Sequence, residues 1–187
     1  MPLTFRDCNR VQVGICYRNP WKTTLVFVGG AMTQRFHDVG QTIYHFGSEF
    51  LVRCPRCGKC AHVTRLTAPQ SNTFGFQELF DPRRCVCPNC AYVKEWRESS
   101  VSIGGAVDWY FSLPLWLQTP CCGHILWAYN AEHRAFLEAY VQAKLRDQLP
   151  SANTNRAITS RLPLWLQSAQ NREDVLKGLT RLKRMLE

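Results

Sequence analysis

The sequence predicts an α+β fold: an antiparallel β sheet carrying an embedded four-cysteine metal site, followed by a helical C-terminal tail. Three observations carry this. Two short cysteine turns, Cys54-Pro55-Arg56-Cys57-Gly58 and Cys87-Pro88-Asn89-Cys90-Ala91, each sit between β-branched or apolar runs. Residues 9–50 break into short strand-like runs separated by Gly and Asn-Pro punctuation. From Asn130 onward, apolar residues recur at helical spacing instead. The expected organisation is a β-rich region over 1–129 containing the metal module 51–97, then a helical tail over 130–187 with a linker at about 150–160.

Composition sets the frame. The chain has 187 residues and is 45% hydrophobic, enough to build a core that does not depend on a metal alone. It has 10 cysteines, and Met1-Pro2-Leu3-Thr4-Phe5-Arg6-Asp7 lacks the apolar run of a signal peptide. So many thiols without that run point to a reducing compartment and to metal binding. No stretch approaches the ~20 apolar residues that cross a bilayer. A soluble, cytoplasmic protein is the expectation. The formal net charge is +9. Four thiolates on one Zn²⁺ would contribute about −2, leaving nearer +7. That balance favours an anionic partner such as nucleic acid or an acidic protein face.

The elements follow in order. Val11–Tyr17, Thr23–Val28 and Gln41–Phe46 read as strands. Cys8 and Cys16 have no ligand spacing and read as packing residues or exposed thiols. Phe50-Leu51-Val52 leads into the first cysteine turn and His62-Val63-Thr64 leads out. Thr67–Asn72 is a loop, and Phe74, Phe76, Leu79 and Phe80 form an apolar cluster that either packs over the hairpins, the usual place for large apolar residues, or presents an aromatic surface. Arg84-Cys85-Val86 leads into the second turn and Tyr92-Val93-Lys94 leads out. The layout is two hairpins with a cysteine turn at each tip.

The chemistry of the turns is specific. Each C-x-x-C points two sulfurs at one metal, and two such turns complete a tetrahedral thiolate shell from Cys54, Cys57, Cys87 and Cys90. Pro presets one φ, and Gly58 tolerates the positive φ that follows. Ala91 stands where Gly would suit the second turn better. A thioredoxin-like redox site would need one C-x-x-C between a strand and a helix, whereas both pairs here lie among strands. These residues resemble the zinc-ribbon superfamily, with its rubredoxin-like C-P-x-C-G knuckles. The resemblance covers about a quarter of the chain. It implies a small antiparallel sheet around one structural Zn²⁺, with zinc favoured over iron as the commoner structural occupant. Ribbons share no single function.

Residues 101–129 are rich in aromatics: Trp109, Tyr110, Phe111, Trp116, Trp127 and Tyr129. Within them, Pro120-Cys121-Cys122-Gly123-His124 has the look of a third knuckle. One account places a second metal there, on His124 with Cys121 or Cys122, joined by Cys60 and Cys85. The simpler account is a single four-cysteine site with spare thiols packed near it, because no second set of four has standard spacing. Asn130 suits an N-cap, and Phe136, Leu137, Tyr140, Val141 and Leu145 form one stripe of a helix that Pro150 ends. A last helix begins near Arg172, capped by Asn171, with Val175, Leu176, Leu179, Leu182 and Leu186 on one face. Its basic final turn suits the helix dipole. Leu113-Pro114-Leu115-Trp116-Leu117-Gln118 recurs as Leu162-Pro163-Leu164-Trp165-Leu166-Gln167. The two Trp-bearing turns are expected to share a core or a partner-binding surface. The stretches Leu113–Asn130 and Ser160–Glu173 also resemble a bacterial zinc-ribbon family with which no activity travels.

The chain lacks H-E-x-x-H, the zinc-deaminase signature, a Walker A loop and a G-x-S-x-G elbow. The leading expectation is therefore a non-enzymatic zinc-ribbon protein that binds nucleic acid. Arg53, Arg56, Lys59, Arg65, Arg83 and Arg84 would meet phosphates, and Phe74, Phe76 or Trp96 would stack on unpaired bases. The alternative is a protein-interaction adaptor with purely structural zinc, which predicts an aromatic groove and scattered charge. An enzyme with an open metal site at Cys121, Cys122 and His124 is the third expectation.

Overall fold

A computed structural model describes residues 24–28, 31–66, 77–143, 145–148 and 157–187. The expected strand Val11–Tyr17, the thiols Cys8 and Cys16, the loop Thr67–Asn72, Phe74, Phe76 and residues 151–156 lie outside them. The fold is α+β, as the patterning predicts.

The β-branched run Thr24–Val28 forms β1 and pairs antiparallel with β2 (Ala31–Asp38), Thr24 opposite Arg35. Gly40, at φ 74°, turns the chain after β2, and its N–H donates to the Asp38 carboxylate at 2.8 Å. The expected strand over Gln41–Phe46 is instead a 3-10 turn, Ile43–Phe46. The reason is packing. Only Phe46 of the turn is buried, and its ring stacks on His133 at 4.7 Å. A strand would instead have buried alternate residues.

The central sheet is β3 (Glu49–Arg53), β4 (Cys60–Arg65), β5 (Arg83–Val86) and β6 (Val93–Trp96), each antiparallel to its chain neighbour. Phe50, Val63 and Cys85 face one another across three strands, and all are fully buried. They pack under an aromatic layer, with Phe50 4.9 Å from Trp109 and 5.1 Å from Tyr129. Cys85 is thus a small core residue, and burial pushes its thiol up to about 11. A buried turn fixes the aromatic layer: the Asp108 carboxylate accepts the amides of Tyr110, Phe111 and Leu113 at 2.7–2.9 Å.

β7 (Gln118–Cys121) and β8 (His124–Trp127) form a separate hairpin. Next comes α1 (Ala131–Gln142), capped as predicted: the Asn130 side chain accepts the His133 amide at 2.9 Å. The same side chain donates to the carbonyls of Phe46 and Glu49 at 3.0 and 2.9 Å, tying the helix start to β3. The helix does not run to Pro150. It stops at Gln142, and Leu145–Gln148 forms β9, parallel to β2 with Leu145 opposite Arg35. Leu145 therefore leaves the helical stripe, because the open edge of β2 offers ladder hydrogen bonds that a lone helical turn cannot match.

A 3-10 turn (Ile158–Arg161), α2 (Leu164–Gln167) and α3 (Arg172–Arg184) complete the chain. α3 buries Val175, Gly178, Leu179 and Leu182 against α1 and the β7–β8 hairpin. Asn171 does not cap it through its side chain, which donates to the Trp165 carbonyl at 2.8 Å instead. The repeated hexapeptide adopts two conformations. Copy one is extended, with Pro114 O accepting the Arg53 amide and the Trp116 amide reaching Leu51 O, both at 2.8 Å. Copy two meets β8 through a side chain, Trp165 on His124, and closes its own helical bonds, Ser168 N to Leu164 O at 3.0 Å. Neighbouring backbone, not local sequence, decides between them.

Candidate metal centre

The two hairpins of the central sheet end in the predicted cysteine turns. In the first, the Cys54 amide donates to Lys59 O and the Gly58 amide to Cys54 O, both at 2.8 Å. In the second, the Cys87 amide reaches Tyr92 O at 2.9 Å and the Ala91 amide reaches Cys87 O at 3.0 Å. Gly58 sits at φ 72° and Ala91 at φ 55°, so both turns need the left-handed residue that the pattern implied.

The turns meet. The sulfurs of Cys54, Cys57, Cys87 and Cys90 all lie within 4.8 Å of one another and can hold a metal ion. Two pairs cross between turns: Cys54 to Cys90 and Cys57 to Cys87, each 3.6 Å. Sulfurs placed tetrahedrally at about 2.3 Å from one ion are about 3.8 Å apart, so these contacts match the edges of such a shell. Cys54 and Cys87 are buried, while Cys57 and Cys90 are half-buried. Donors surround the sulfurs: the Arg56 amide reaches Cys54 Sγ at 3.4 Å and Asn89 Nδ2 reaches Cys57 Sγ at 3.5 Å. The x position of C-P-x-C is the one sequence signal that Asn89 carries. A bond from the Lys59 amide holds the Cys57 thiol down to about 6. Burial pushes Cys87 up to about 12 and Cys90 upward. A cation among them favours the thiolate form of all four.

The cations expected to face phosphate are spread over several environments. Arg56 and Lys59 are exposed on the first turn. Arg53 is exposed with its guanidinium 5.4 Å over the Trp116 ring. Arg84 pairs with Glu95 at 2.7 Å, and Arg65 lies half-buried 3.7 Å from Asp81. Arg83 corrects the expectation. It is fully buried, donates to the carbonyls of Ser48 and Glu78 at 3.3 and 3.2 Å, and stacks on Tyr110 at 4.6 Å. Its position in β5, opposite Trp96, turns it into the core rather than to solvent. Trp96 is itself buried against Tyr110 at 4.8 Å and offers no face to a base.

The possible second metal set does not assemble. Among the described residues, no other three His, Cys, Asp or Glu side chains come within metal-holding distance. His124 stacks flat on Trp165 at 4.9 Å, and Cys60 is buried in β4.

A different feature emerges on the far hairpin. A cleft of about 930 Å³ opens between β8, the Ile43–Phe46 turn and the Ile158–Leu166 segment. Its walls include Tyr44, Trp127, Tyr129 and Trp165, and Arg161 is the one Lys or Arg among the described residues that line it. Ile103 and Ile125 are 40% and 49% exposed at its edge, and Leu164, beside Trp165, is 84% exposed. His133 lies at its back. Burial depresses its pKa to about 3, and its Nδ1 accepts the Tyr129 amide at 3.3 Å, so the neutral ring carries its proton on Nε2. The repeat and the aromatic density pointed to Trp127, Tyr129 and Trp165. Nothing local marked Ile43, Ile125 or His133, which reach the cleft only through tertiary structure.

Among the described residues, no helix is long and apolar enough to cross a membrane. No protein-family model, curated protein or solved structure matches this chain.

Proposed function

We propose that this chain is a non-enzymatic protein-interaction module in which the four-cysteine centre holds one structural zinc ion and the aromatic cleft receives an apolar segment of a partner protein. The cleft carries this reading. Its walls are aromatic and aliphatic, its edge exposes Ile103, Ile125 and neighbouring Leu164, and its described lining holds a single Lys or Arg. Such a surface gains from excluding water around anchor side chains. Four thiolates in a closed tetrahedral shell leave no coordination position for substrate, which favours a structural ion, and zinc is the commoner structural occupant of such a shell. The zinc fixes the two hairpin tips and hence the sheet that supports the aromatic layer.

A nucleic-acid reading keeps one supporting observation: Arg53, Arg56 and Lys59 are all exposed on or beside the first cysteine turn. The two readings part under salt. A photo-crosslinker at position 125 of the zinc-loaded chain would capture the partner, which is then purified and titrated. The cleft reading expects binding that is nearly salt-independent and abolished by Leu164→Asp. Binding to labelled oligonucleotides that weakens linearly in log salt, and that fails in Arg56→Ala but not in Leu164→Asp, would replace it with the nucleic-acid reading.

A further inference from the structure

The β7–β8 hairpin turns through Cys122 and Gly123, both at positive φ, 51° and 75°. This is the type I′ pattern, which favours Asn-Gly or Gly-Gly, so a cysteine gains nothing conformational there. The sulfurs of Cys121 and Cys122 are 3.7 Å apart. The Cys121 thiol is buried and donates to the Asp174 carbonyl at 3.5 Å, while Cys122 is half-buried. Both line a cavity of about 300 Å³, with Pro120, Asp174, Lys177 and Arg181 around them. The hairpin is held firmly on α3. Arg181 donates to Thr119 Oγ1 at 3.2 Å and to Pro120 O at 2.9 Å. Gly178 permits the close approach, since a Cβ there would lie 2.7 Å from Leu126 Cδ2 and 3.5 Å from Cys121 Sγ.

Magnitudes separate two uses of such a pair. A disulfide requires the sulfurs to close from 3.7 Å to about 2.05 Å, between α-carbons only about 3.8 Å apart, below the ordinary disulfide range of roughly 4.4–6.8 Å. Binding both sulfurs to one soft atom requires far less closure, because two thiolates on a tetrahedral centre lie about 3.8 Å apart and on a pyramidal trivalent centre only a few tenths of an ångström closer. The cross-turn pairs of the four-cysteine centre show nearly the same spacing, 3.6 Å. The buried Cys121 thiol, pushed up to about 11, is also a weak nucleophile toward peroxide at neutral pH. His124 is committed to Trp165, so the turn offers two sulfurs and not a three-ligand metal shell.

We propose that Cys121 and Cys122 form a vicinal dithiol site for a trivalent arsenical. With an arsenoxide, R–As=O, two As–S bonds form and the As=O bond breaks. The two thiol protons leave with the oxygen as water, and arsenic stays trivalent. The site is independent of the aromatic cleft and of the four-cysteine centre.

The test mixes the zinc-loaded chain with one equivalent of phenylarsine oxide and reads intact mass, peptide mass and zinc content. One adduct per chain is expected, on the peptide carrying Cys121 and Cys122, with zinc retained. Glutathione, a monothiol, should leave it in place, and dithiothreitol should remove it. Cys121→Ser and Cys122→Asn should each lose at least tenfold in adduct yield. Asn suits the turn, so Cys122→Asn keeps the test valid even where Cys121→Ser folds poorly. An adduct that persists in Cys122→Asn, or one on the zinc-site cysteines with zinc released, would overturn the assignment. So would peroxide converting the pair to a disulfide faster than the arsenical binds.

Discussion

Lowering the pH should destabilise this protein through His133. The ring is buried among Phe46, Trp127 and Tyr129, with no charged group in those contacts. Burial takes its pKa down to about 3, whereas the unfolded chain protonates near 6.5. Between those values the unfolded state binds one proton more than the folded state, so stability falls as pH falls. The slope is about 1.4 kcal/mol per pH unit. Integrated from pH 7 to pH 5, the loss is about 2 kcal/mol. Urea unfolding of the metal-loaded protein at pH 7, 6 and 5 measures it. Protonation of the cysteines contributes to the same acid trend, so the comparison is with His133→Gln, which keeps an acceptor for the Tyr129 amide. The variant should show about 2 kcal/mol less pH dependence, whatever its stability at pH 7. An equal pH dependence in both proteins would refute the argument.

Three further substitutions probe the packing. Asn130→Ala removes the α1 cap and the hydrogen bonds that its side chain donates to the carbonyls of Phe46 and Glu49. The combined loss is about 3–5 kcal/mol in chemical unfolding. Ala91→Gly relieves a left-handed residue at φ 55°, a gain of roughly 0.5–1 kcal/mol after the entropic cost of glycine, seen as a higher melting temperature. Gly178→Ala drives a methyl to 2.7 Å from buried Leu126. Overpacking of about 1–3 kcal/mol outweighs the gain of about 1 kcal/mol in helix propensity, so thermal unfolding should fall to lower temperature.

Much of the four-cysteine cluster is legible in the sequence because its constraints are local. Cys-Pro-x-Cys, the flanking strand runs and the demand for a left-handed residue at 58 and 91 are all set within a few positions. The cap at Asn130 is equally local. Failures fall where long-range partners decide. Leu145 continues a helical stripe by spacing, yet the edge of β2 draws it into a strand. Arg83 looks like one more surface cation beside Arg84, until register places it under Tyr110. The hexapeptide shared by Leu113–Gln118 and Leu162–Gln167 shows the limit most clearly. Identical residues are extended where they bond to the β3 backbone and helical where they close bonds among themselves. The cleft joins residues as far apart as Ile43 and Trp165, and no local pattern encodes that meeting.

The most direct test of the account is native mass spectrometry of the purified chain beside its Cys87→Ser variant, with hydrogen exchange of β4 and β5 in both. Cys87 is a buried member of the four-cysteine cluster, and structural zinc binding is worth about 10–16 kcal/mol, comparable to the stability of a whole domain. One zinc ion is expected per wild-type chain and none in the variant, with loss of amide protection around Cys60–Arg65 and Arg83–Val86. A wild-type chain without zinc, or a variant with unchanged protection, would contradict it.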